Sequence, residues 1–223
     1  MTKQTPMNQL PYPEPSDIAD IPLHLQALTQ AADSRMVMRF DTATARDTAV
    51  VQPVAGMIAW IKSPGYYTVY NGTGWVQDHT LNPPRLITRQ SADQSLPNNA
   101  ILYLTWAASP ITDSHGGVDP AQLTRYTPKV AGHYLVTAQV AFSVNTSGGR
   151  VVNLIKNGDA NQNFGQVAHG AVPVAGYFTT LCATGMTYFN GTTDYYEVQV
   201  AQNSGAALTT VSVGTITRAL RVF

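Results

Sequence analysis

Apolar and polar residues alternate with a period of two through much of residues 85–223. In residues 133–142, for example, one face is apolar and the other holds His133, Thr137 and Gln139. Alternation of this kind predicts antiparallel strands with one buried face. Eight such segments, separated by turns that contain Gly or Asn, predict a jelly-roll sandwich over residues 85–223. The predicted strands are Ile101–Trp106, Leu123–Thr127, His133–Phe142, Arg150–Asn157, Phe164–Ala168, Tyr177–Thr184, Asp194–Gln202 and Thr215–Phe223.

Near the N-terminus the apolar period becomes that of an α-helix. We predict one helix over residues 16–34, capped by Asp20 and with Pro22 in its first turn. Its apolar residues are spaced 4, 3 and 4, as in a coiled-coil seam: Ile21, Leu25, Leu28 and Ala32. This stripe either packs on the helix's own domain or forms a trimer seam. Because the stripe spans only about two heptads, the seam needs other segments to hold the chains together.

Residues 36–77 hold short β-rich runs between turn residues. Residues 36–40 are predicted to form a strand, and Thr44–Asp47 a helical turn. The runs that follow predict a β-meander with Asn71-Gly72 as a hairpin turn. Its predicted strands are Gly56–Ile61, Tyr66–Tyr70 and one that begins at Trp75. The core of this small sheet is expected to consist of the aromatic residues Trp60, Tyr70 and Trp75.

Two polar segments that contain proline divide the chain. Residues 1–15 show no apolar period and are predicted to form an extended N-terminal arm, either a disordered tail or a tether that orders against a partner. Residues 78–84, which end in Pro83-Pro84, are predicted to be a linker. The expected organisation is therefore an arm (1–15), a helix with a small β-meander (16–77), a linker (78–84) and a jelly-roll domain (85–223).

Three short patterns lie between Met38 and Trp75: R-[YF]-x-[ST]-x-x-x-R-D, G-M-x-A-W and V-Y-x-G-x-x-W. Together with the preceding helix, they resemble a small module common in tail-associated proteins of phages that infect actinobacteria. The resemblance covers roughly residues 16–77 and implies that this part attaches the chain to a virion. The matching residues are Arg39, Phe40, Arg46, Asp47, Gly56, Met57, Ala59, Trp60, Val69, Tyr70, Gly72 and Trp75.

A second resemblance lies in the β-rich half of the chain. Residues Tyr126–Val136 follow the pattern [FY]-x-[CAP]-x-x-x-G-x-Y-x-[FV], with Gly132 and Tyr134 at its fixed positions. This segment resembles C1q/TNF-like domains, and Gly191–Val198 is similar to a later strand entry of that family. The resemblance implies a C1q/TNF-like jelly roll over residues 85–223 that forms compact homotrimers and binds a partner through its loops.

The charge balance argues against two classes of binding partner, nucleic acids and membrane surfaces. The chain has 13 Lys+Arg and 13 Asp+Glu, a formal net charge of +0, and only 12% charged residues. This balance argues against nucleic-acid binding by charge and against a polybasic membrane anchor. No signal peptide and no apolar run long enough to insert into a membrane is visible, so we expect synthesis in a host cytoplasm and release within a particle.

Candidate chemistry is sparse. No nucleophile elbow, phosphate-binding loop or paired carboxylate motif is present, which predicts a non-enzyme without cofactors. Asp113, His115 and Asp119 lie on one Gly-containing loop, which is either a plain polar loop or a site for Ca²⁺. The single cysteine, Cys182, is in phase with Phe178 and is expected to be a buried, inert thiol.

These observations predict a homotrimeric phage virion protein of the tail tip or a fibre, with the C-terminal jelly roll facing outward. Residues 1–84 would dock to other virion proteins, and residues 85–223 would bind a host-surface glycan or protein. A purely structural role, as a capsid-decoration or tail-tip protein without receptor binding, is the alternative. A carbohydrate-active enzyme is disfavoured because no acid/base pair stands out.

Overall fold

The computed structural model describes residues 3–5, 10–14, 17, 20–33, 36–79, 82–170 and 176–222. They form two compact units, residues 1–82 and residues 83–223, which we call the N-terminal unit and the jelly-roll domain. Parts of the predicted arm, helix and linker, and the last residue of the predicted closing strand, lie outside the described residues.

The N-terminal unit begins with two short strands, β1 (Lys3–Gln4) and β2 (Pro11–Tyr12), which pair antiparallel. Helix α1 (Ile21–Asp33) follows and contacts β2. The predicted cap is confirmed, since Asp20 Oδ1 accepts a hydrogen bond from the Leu23 N–H at 3.0 Å. The helix therefore begins at Ile21 and not at residue 16. Within the part of the chain that the structure covers, no helix has the length and apolar character to span a bilayer.

A four-stranded sheet completes this unit, in the order β3-β4-β5-β6. Strands β4 to β6 form the predicted meander, but β3 pairs parallel to β4 because α2 carries the chain back to the same end of the sheet. The Thr42 side chain caps α2 by accepting a hydrogen bond from the Ala45 N–H. The elements are β3 (Met38–Phe40), α2 (Ala43–Ala49), β4 (Ile58–Ile61), β5 (Tyr66–Tyr70) and β6 (Trp75–Asp78).

The residues buried at this sheet are Ala59, Ile61 and Thr68 together with an arginine from α2, and not the expected aromatic cluster. Trp60, Tyr70 and Trp75 are only half-buried, whereas Arg46 is buried. The Arg46 guanidinium lies 4.5 Å from the ring centre of Trp75 and donates hydrogen bonds to Asp47 Oδ1 (2.7 and 2.9 Å) and Thr68 Oγ1 (3.1 Å). Arg46 thus anchors α2 to the sheet through Thr68 and Trp75, while the neighbouring Asp47 pairs its buried charge.

The jelly-roll domain contains two antiparallel sheets. A seven-stranded sheet has the order β10-β7-β18-β12-β17-β8, with β15 on the other side of β12. A five-stranded sheet has the order β11-β16-β13-β14, with β9 also paired to β16. The strands of the whole domain are β7 (Arg85–Arg89), β8 (Gln94–Leu96), β9 (Ile101–Tyr103), β10 (Thr112–Asp113), β11 (Arg125–Tyr126), β12 (Gly132–Phe142), β13 (Gly149–Lys156), β14 (Asn163–Gly170), β15 (Thr179–Phe189), β16 (Tyr196–Gln202), β17 (Leu208–Thr210) and β18 (Ile216–Arg221).

The inward faces of the two sheets form one core. Tyr134 and Val136 from the seven-stranded sheet meet Val152, Val198 and their neighbours from the five-stranded sheet, and all are fully buried. The expected mostly β fold with a jelly-roll sandwich is confirmed. The eight predicted strands correspond to strands of the domain, although several of their ends shift, and the short strands β7, β8, β10 and β17 were not predicted.

The sandwich is closed where β14 crosses β15. Gly165 on β14 and Gly185 on β15 let the two backbones approach within van der Waals distance. A Cβ on Gly185 would lie 2.7 Å from the carbonyl carbon of Phe164, so only glycine fits at this crossing.

Candidate functional site

The outward face of the seven-stranded sheet is unexpectedly apolar. Leu135, Met186, Tyr188 and Leu220 are exposed over 40%, 52%, 47% and 41% of their surface, and we call these four residues the apolar face. Strand pairing places them side by side, because Leu135 lies opposite both Met186 on β15 and Leu220 on β18. Large apolar side chains grouped on one face of a sheet are typical of an interaction surface.

A groove of about 340 Å³ opens on the same face. Leu135, Ile87 and Leu220 line its floor, and Arg85 and Arg218 are exposed beside it. The arginine stems extend the apolar area while their charged ends stay in water. The face therefore combines a concave apolar centre with a basic margin.

Cys182 lies on this outward face, which contradicts the expected buried thiol. It is a free, exposed cysteine opposite Gln139 of β12. The alternation of β15 turns Leu181 and Ala183 into the core, so Cys182 between them points outward. Cys182 and Phe178 do point to the same side, as predicted, but that side faces outward, since Phe178 is also exposed.

The apolar face was not predicted from the sequence. Its signal was present in β12, where Leu135 stands among the polar residues His133, Thr137 and Gln139. Met186 and Leu220 likewise occupy outward positions of β15 and β18. Apolar residues on the polar side of a half-buried strand indicate a second covered surface, but their grouping is visible only once the strands are paired.

The predicted seam residues lie on α1 beside the arm. Ile21, Leu25 and Leu28 line an apolar groove of about 320 Å³ together with Leu10 and Tyr12 of the arm. All three remain exposed. Ala32 is half-buried near the end of the helix. The arm thus packs along part of the stripe and leaves the rest open.

The loop with the candidate cation ligands is held by its own hydrogen bonds. Asp113 Oδ2 accepts from the Val118 N–H at 2.8 Å, and Asp119 Oδ1 accepts from the Ala121 N–H at 2.9 Å. His115 Nδ1 lies 2.8 Å from Ser114 Oγ, and partial burial lowers the pKa of His115 against the opposing charge of Asp113. Among the described residues, no three His, Cys, Asp or Glu side chains come together as a metal site. The structure therefore does not assemble Asp113, His115 and Asp119 into one.

Asp194 joins two loops of the jelly-roll domain. Its carboxylate accepts hydrogen bonds from Asn157 Nδ2 (2.9 Å) and the Asn190 N–H (3.0 Å), and lies 2.9 Å from Lys156 Nζ. Burial raises the pKa of Asp194, but the hydrogen bonds from Asn157, Lys156 and Asn190 outweigh burial and hold the pKa below its ordinary value.

We expect the free energy of unfolding of the jelly-roll domain to fall as the pH drops below about 4, because the folded Asp194 binds a proton less readily than the unfolded one. Its contribution is complete above the unfolded pKa and is lost as the pH falls through the lower folded pKa. Urea unfolding across this range measures the slope. Asp194→Asn should remove part of the slope, because the amide binds no proton in this range. Equal slopes for wild type and Asp194→Asn would contradict the prediction.

Comparisons with known proteins place the chain beside a viral protein and TNF-like structures. No family model matches it. The uncharacterized protein L688 of Acanthamoeba polyphaga mimivirus is 30% identical over 120 residues, or 53% of this chain. The chain spans about half the length of that relative. Similar solved structures include murine APRIL at pH 5.0 (15% identity, TM-score 0.49, 63% of this chain and 100% of that one) and Eiger TNF from S. frugiperda (11% identity, TM-score 0.42, 63% and 93%).

Proposed function

We propose that this chain is a homotrimeric virion protein that docks to other particle proteins through its N-terminal unit and presents its jelly-roll domain to the host surface. The observation that carries the proposal is the apolar face of Leu135, Met186, Tyr188 and Leu220. A face of this kind is unfavourable in water, and a second copy of the chain is its simplest cover. The location would be a virion, at the tail tip or on a fibre.

Three features support self-association, and the first of them favours three copies. Residues Tyr126–Val136 resemble C1q/TNF-like domains, which are usually trimers. The seam residues on α1 have coiled-coil spacing, and Ile21, Leu25 and Leu28 remain exposed in a single chain. With only 12% charged residues, the chain also has few charges to cover a monomer surface.

The virion role is supported by the resemblance of residues 16–77 to tail-associated phage proteins and by the viral source of the relative. The arm and α1 would suit docking to a rigid partner, because together they form an apolar groove lined by Leu10, Tyr12 and Leu25. Polar loops on a stiff β scaffold suit recognition of a host surface.

Leu135→Glu is expected to convert the trimer into single chains, because it places a charge at the centre of the apolar face. Light scattering at micromolar concentration should give three times the 24.0 kDa chain mass for wild type and the mass of one chain for the variant. Maleimide should label Cys182 slowly in wild type and quickly in Leu135→Glu, because the trimer covers this face.

The matched control is Val51→Glu, which adds the same charge to the N-terminal unit, at a residue after α2 that is 80% exposed. It should keep the trimer mass and the slow labelling of Cys182. A wild-type mass of one or two chains would overturn the trimer. An unchanged mass for Leu135→Glu would show that the apolar face is not the interface.

The host-binding part is tested by competition. Particles that contain this protein should adsorb to susceptible cells more slowly when excess purified full-length protein is added. The free protein and the particles would compete for the same sites on the cell surface. Val51→Glu should compete as well as wild type, and Leu135→Glu should compete poorly, since single chains lose multivalent attachment. If wild-type protein does not slow adsorption, host binding is wrong and a structural role in the capsid or tail tip remains.

A further inference from the structure

A row of hydrogen-bonded polar side chains crosses the outward face of the five-stranded sheet. Pairing places Tyr103, Gln199, Asn153 and Gln166 side by side on β9, β16, β13 and β14, and we call these four residues the amide row. Gln199 Nε2 donates to Tyr103 OH at 3.0 Å. Asn153 Nδ2 donates to Gln199 Oε1 at 2.9 Å, and Gln166 Nε2 donates to Asn153 Oδ1 at 2.7 Å.

The hydrogen bonds fix the amide row in one arrangement. Gln199 is almost fully buried and Asn153 half-buried, while Gln166 at the end of the row is exposed. Asn163 Nδ2 also donates to Asn153 Oδ1, at 3.2 Å. The Tyr103 hydroxyl oxygen accepts a hydrogen bond from Gln199, and its own O–H can still donate to a ligand. Side chains already held in place lose little entropy when a ligand binds to them.

A groove of about 320 Å³ lies next to the amide row. Val151 and Ala201 line it, Ile101 at its edge is 63% exposed, and Asn99 and Asn203 add polar groups. The residues that line the groove include no charged side chain. It therefore combines a small apolar surface with neutral hydrogen-bonding groups.

The charges nearest to the amide row on this face are paired. Glu197 lies two residues before Gln199 on β16, and its Oε1 accepts a hydrogen bond from Arg125 Nε at 3.2 Å. Thr124 Oγ1 donates to the same oxygen at 3.0 Å. Because this carboxylate and guanidinium neutralise each other, the face offers little attraction to a charged ligand.

We propose that this outward face, the amide row with its groove, binds a neutral carbohydrate. Sugar hydroxyls both donate and accept hydrogen bonds, as amides and tyrosine hydroxyls do, and the C–H faces of a sugar ring can lie on Ile101, Val151 and Ala201. A protein partner fits less well, since protein interfaces centre on large apolar and aromatic anchors. The inference rests on the proposed function, because the carbohydrate would be the host-surface ligand of this domain.

The position of the face agrees with the proposed trimer. The outward faces of the two sheets of a sandwich point in opposite directions, so assembly through the apolar face leaves the amide row open to solvent. Three copies then present three carbohydrate sites. Weak binding at each site becomes strong attachment to a surface that carries many copies of the sugar.

The test uses labelled full-length protein on a microarray of neutral oligosaccharides, with sialylated and sulfated oligosaccharides as the charged comparison. Wild type should bind at least one neutral oligosaccharide, and salt should change binding by less than about twofold. Gln166→Ala and Ile101→Ser should each lower binding by about fivefold or more, since each removes a direct contact. Gln122→Ala changes an exposed glutamine on the loop before β11, and this variant should bind as wild type does.

Light scattering checks that each variant keeps the mass of wild type. No binding to any neutral oligosaccharide, binding to charged ones only, or unchanged binding by both Gln166→Ala and Ile101→Ser would overturn the carbohydrate site. If the protein competes with particles for cells but binds no neutral oligosaccharide, host binding stands and the carbohydrate fails. If it binds sugar at this face but does not compete, the site stands and the host-receptor role fails.

Discussion

Gly185→Ala is expected to lower the free energy of unfolding of the jelly-roll domain by about 3 kcal/mol or more. Gly185 faces inward on β15, at the point where β14 crosses from the other sheet. An added Cβ would lie 2.7 Å from the carbonyl carbon of Phe164 and 3.0 Å from the Cα of Gly165. These are backbone atoms, so the clash is relieved only if the two sheets move apart.

Thermal unfolding followed by circular dichroism measures the effect. A loss of about 3 kcal/mol corresponds to a melting temperature lower by about 10 °C for a domain of this size. Gly149→Ala is the matched control, because its Cβ would lie 3.4 Å from the carbonyl oxygen of His169, an ordinary contact. The control should change stability by less than about 0.5 kcal/mol. If Gly185→Ala and Gly149→Ala have the same melting temperature, the close crossing of β14 and β15 is wrong.

Arg150→Met is expected to cost about 3 kcal/mol and to release the loop that precedes β13. Arg150 is fully buried, and its guanidinium donates hydrogen bonds to three carbonyls of this loop. The acceptors are the oxygens of Asn145 (2.6 Å), Ser147 (2.7 Å) and Gly148 (2.9 Å). Methionine has a similar volume but no donors, so the variant leaves these carbonyls without their partner.

Limited proteolysis and thermal unfolding separate the two parts of this prediction. Arg150→Met should be cleaved at residues 143–149 under conditions in which wild type is intact, and its melting temperature should fall. Arg150→Lys should have a protease resistance and a melting temperature between those of wild type and Arg150→Met. One ammonium group cannot reach all of the acceptors that a guanidinium reaches. Lys129→Met, which removes an exposed cation from the same domain, should behave as wild type. Wild-type protease resistance in Arg150→Met would show that the arginine does not hold the loop.

Elements whose signals are local could be predicted from the amino-acid pattern alone. The period of two in residues 133–142 and 194–202 predicted β12 and β16, because alternation along one strand already separates its two faces. Asp20 marked the start of α1, since a cap acts on its own first turn. Together with turns that contain Gly or Asn, these signals were sufficient for a mostly β chain with a jelly-roll domain.

The tertiary structure decided which face of each strand is covered and which strands meet. On β15, apolar residues occupy both faces, so the pattern could not show that Leu181 points inward and Cys182 outward. Short strands such as β10 and β17 are defined by their pairing with segments that are distant in the chain. The apolar face and the amide row each join residues that are tens of positions apart in the chain. Burial, strand pairing and the hydrogen bond from Arg46 to Thr68 depend on residues that are distant in the chain. Periodicity and caps depend on near neighbours, so only they can be recognised in the sequence.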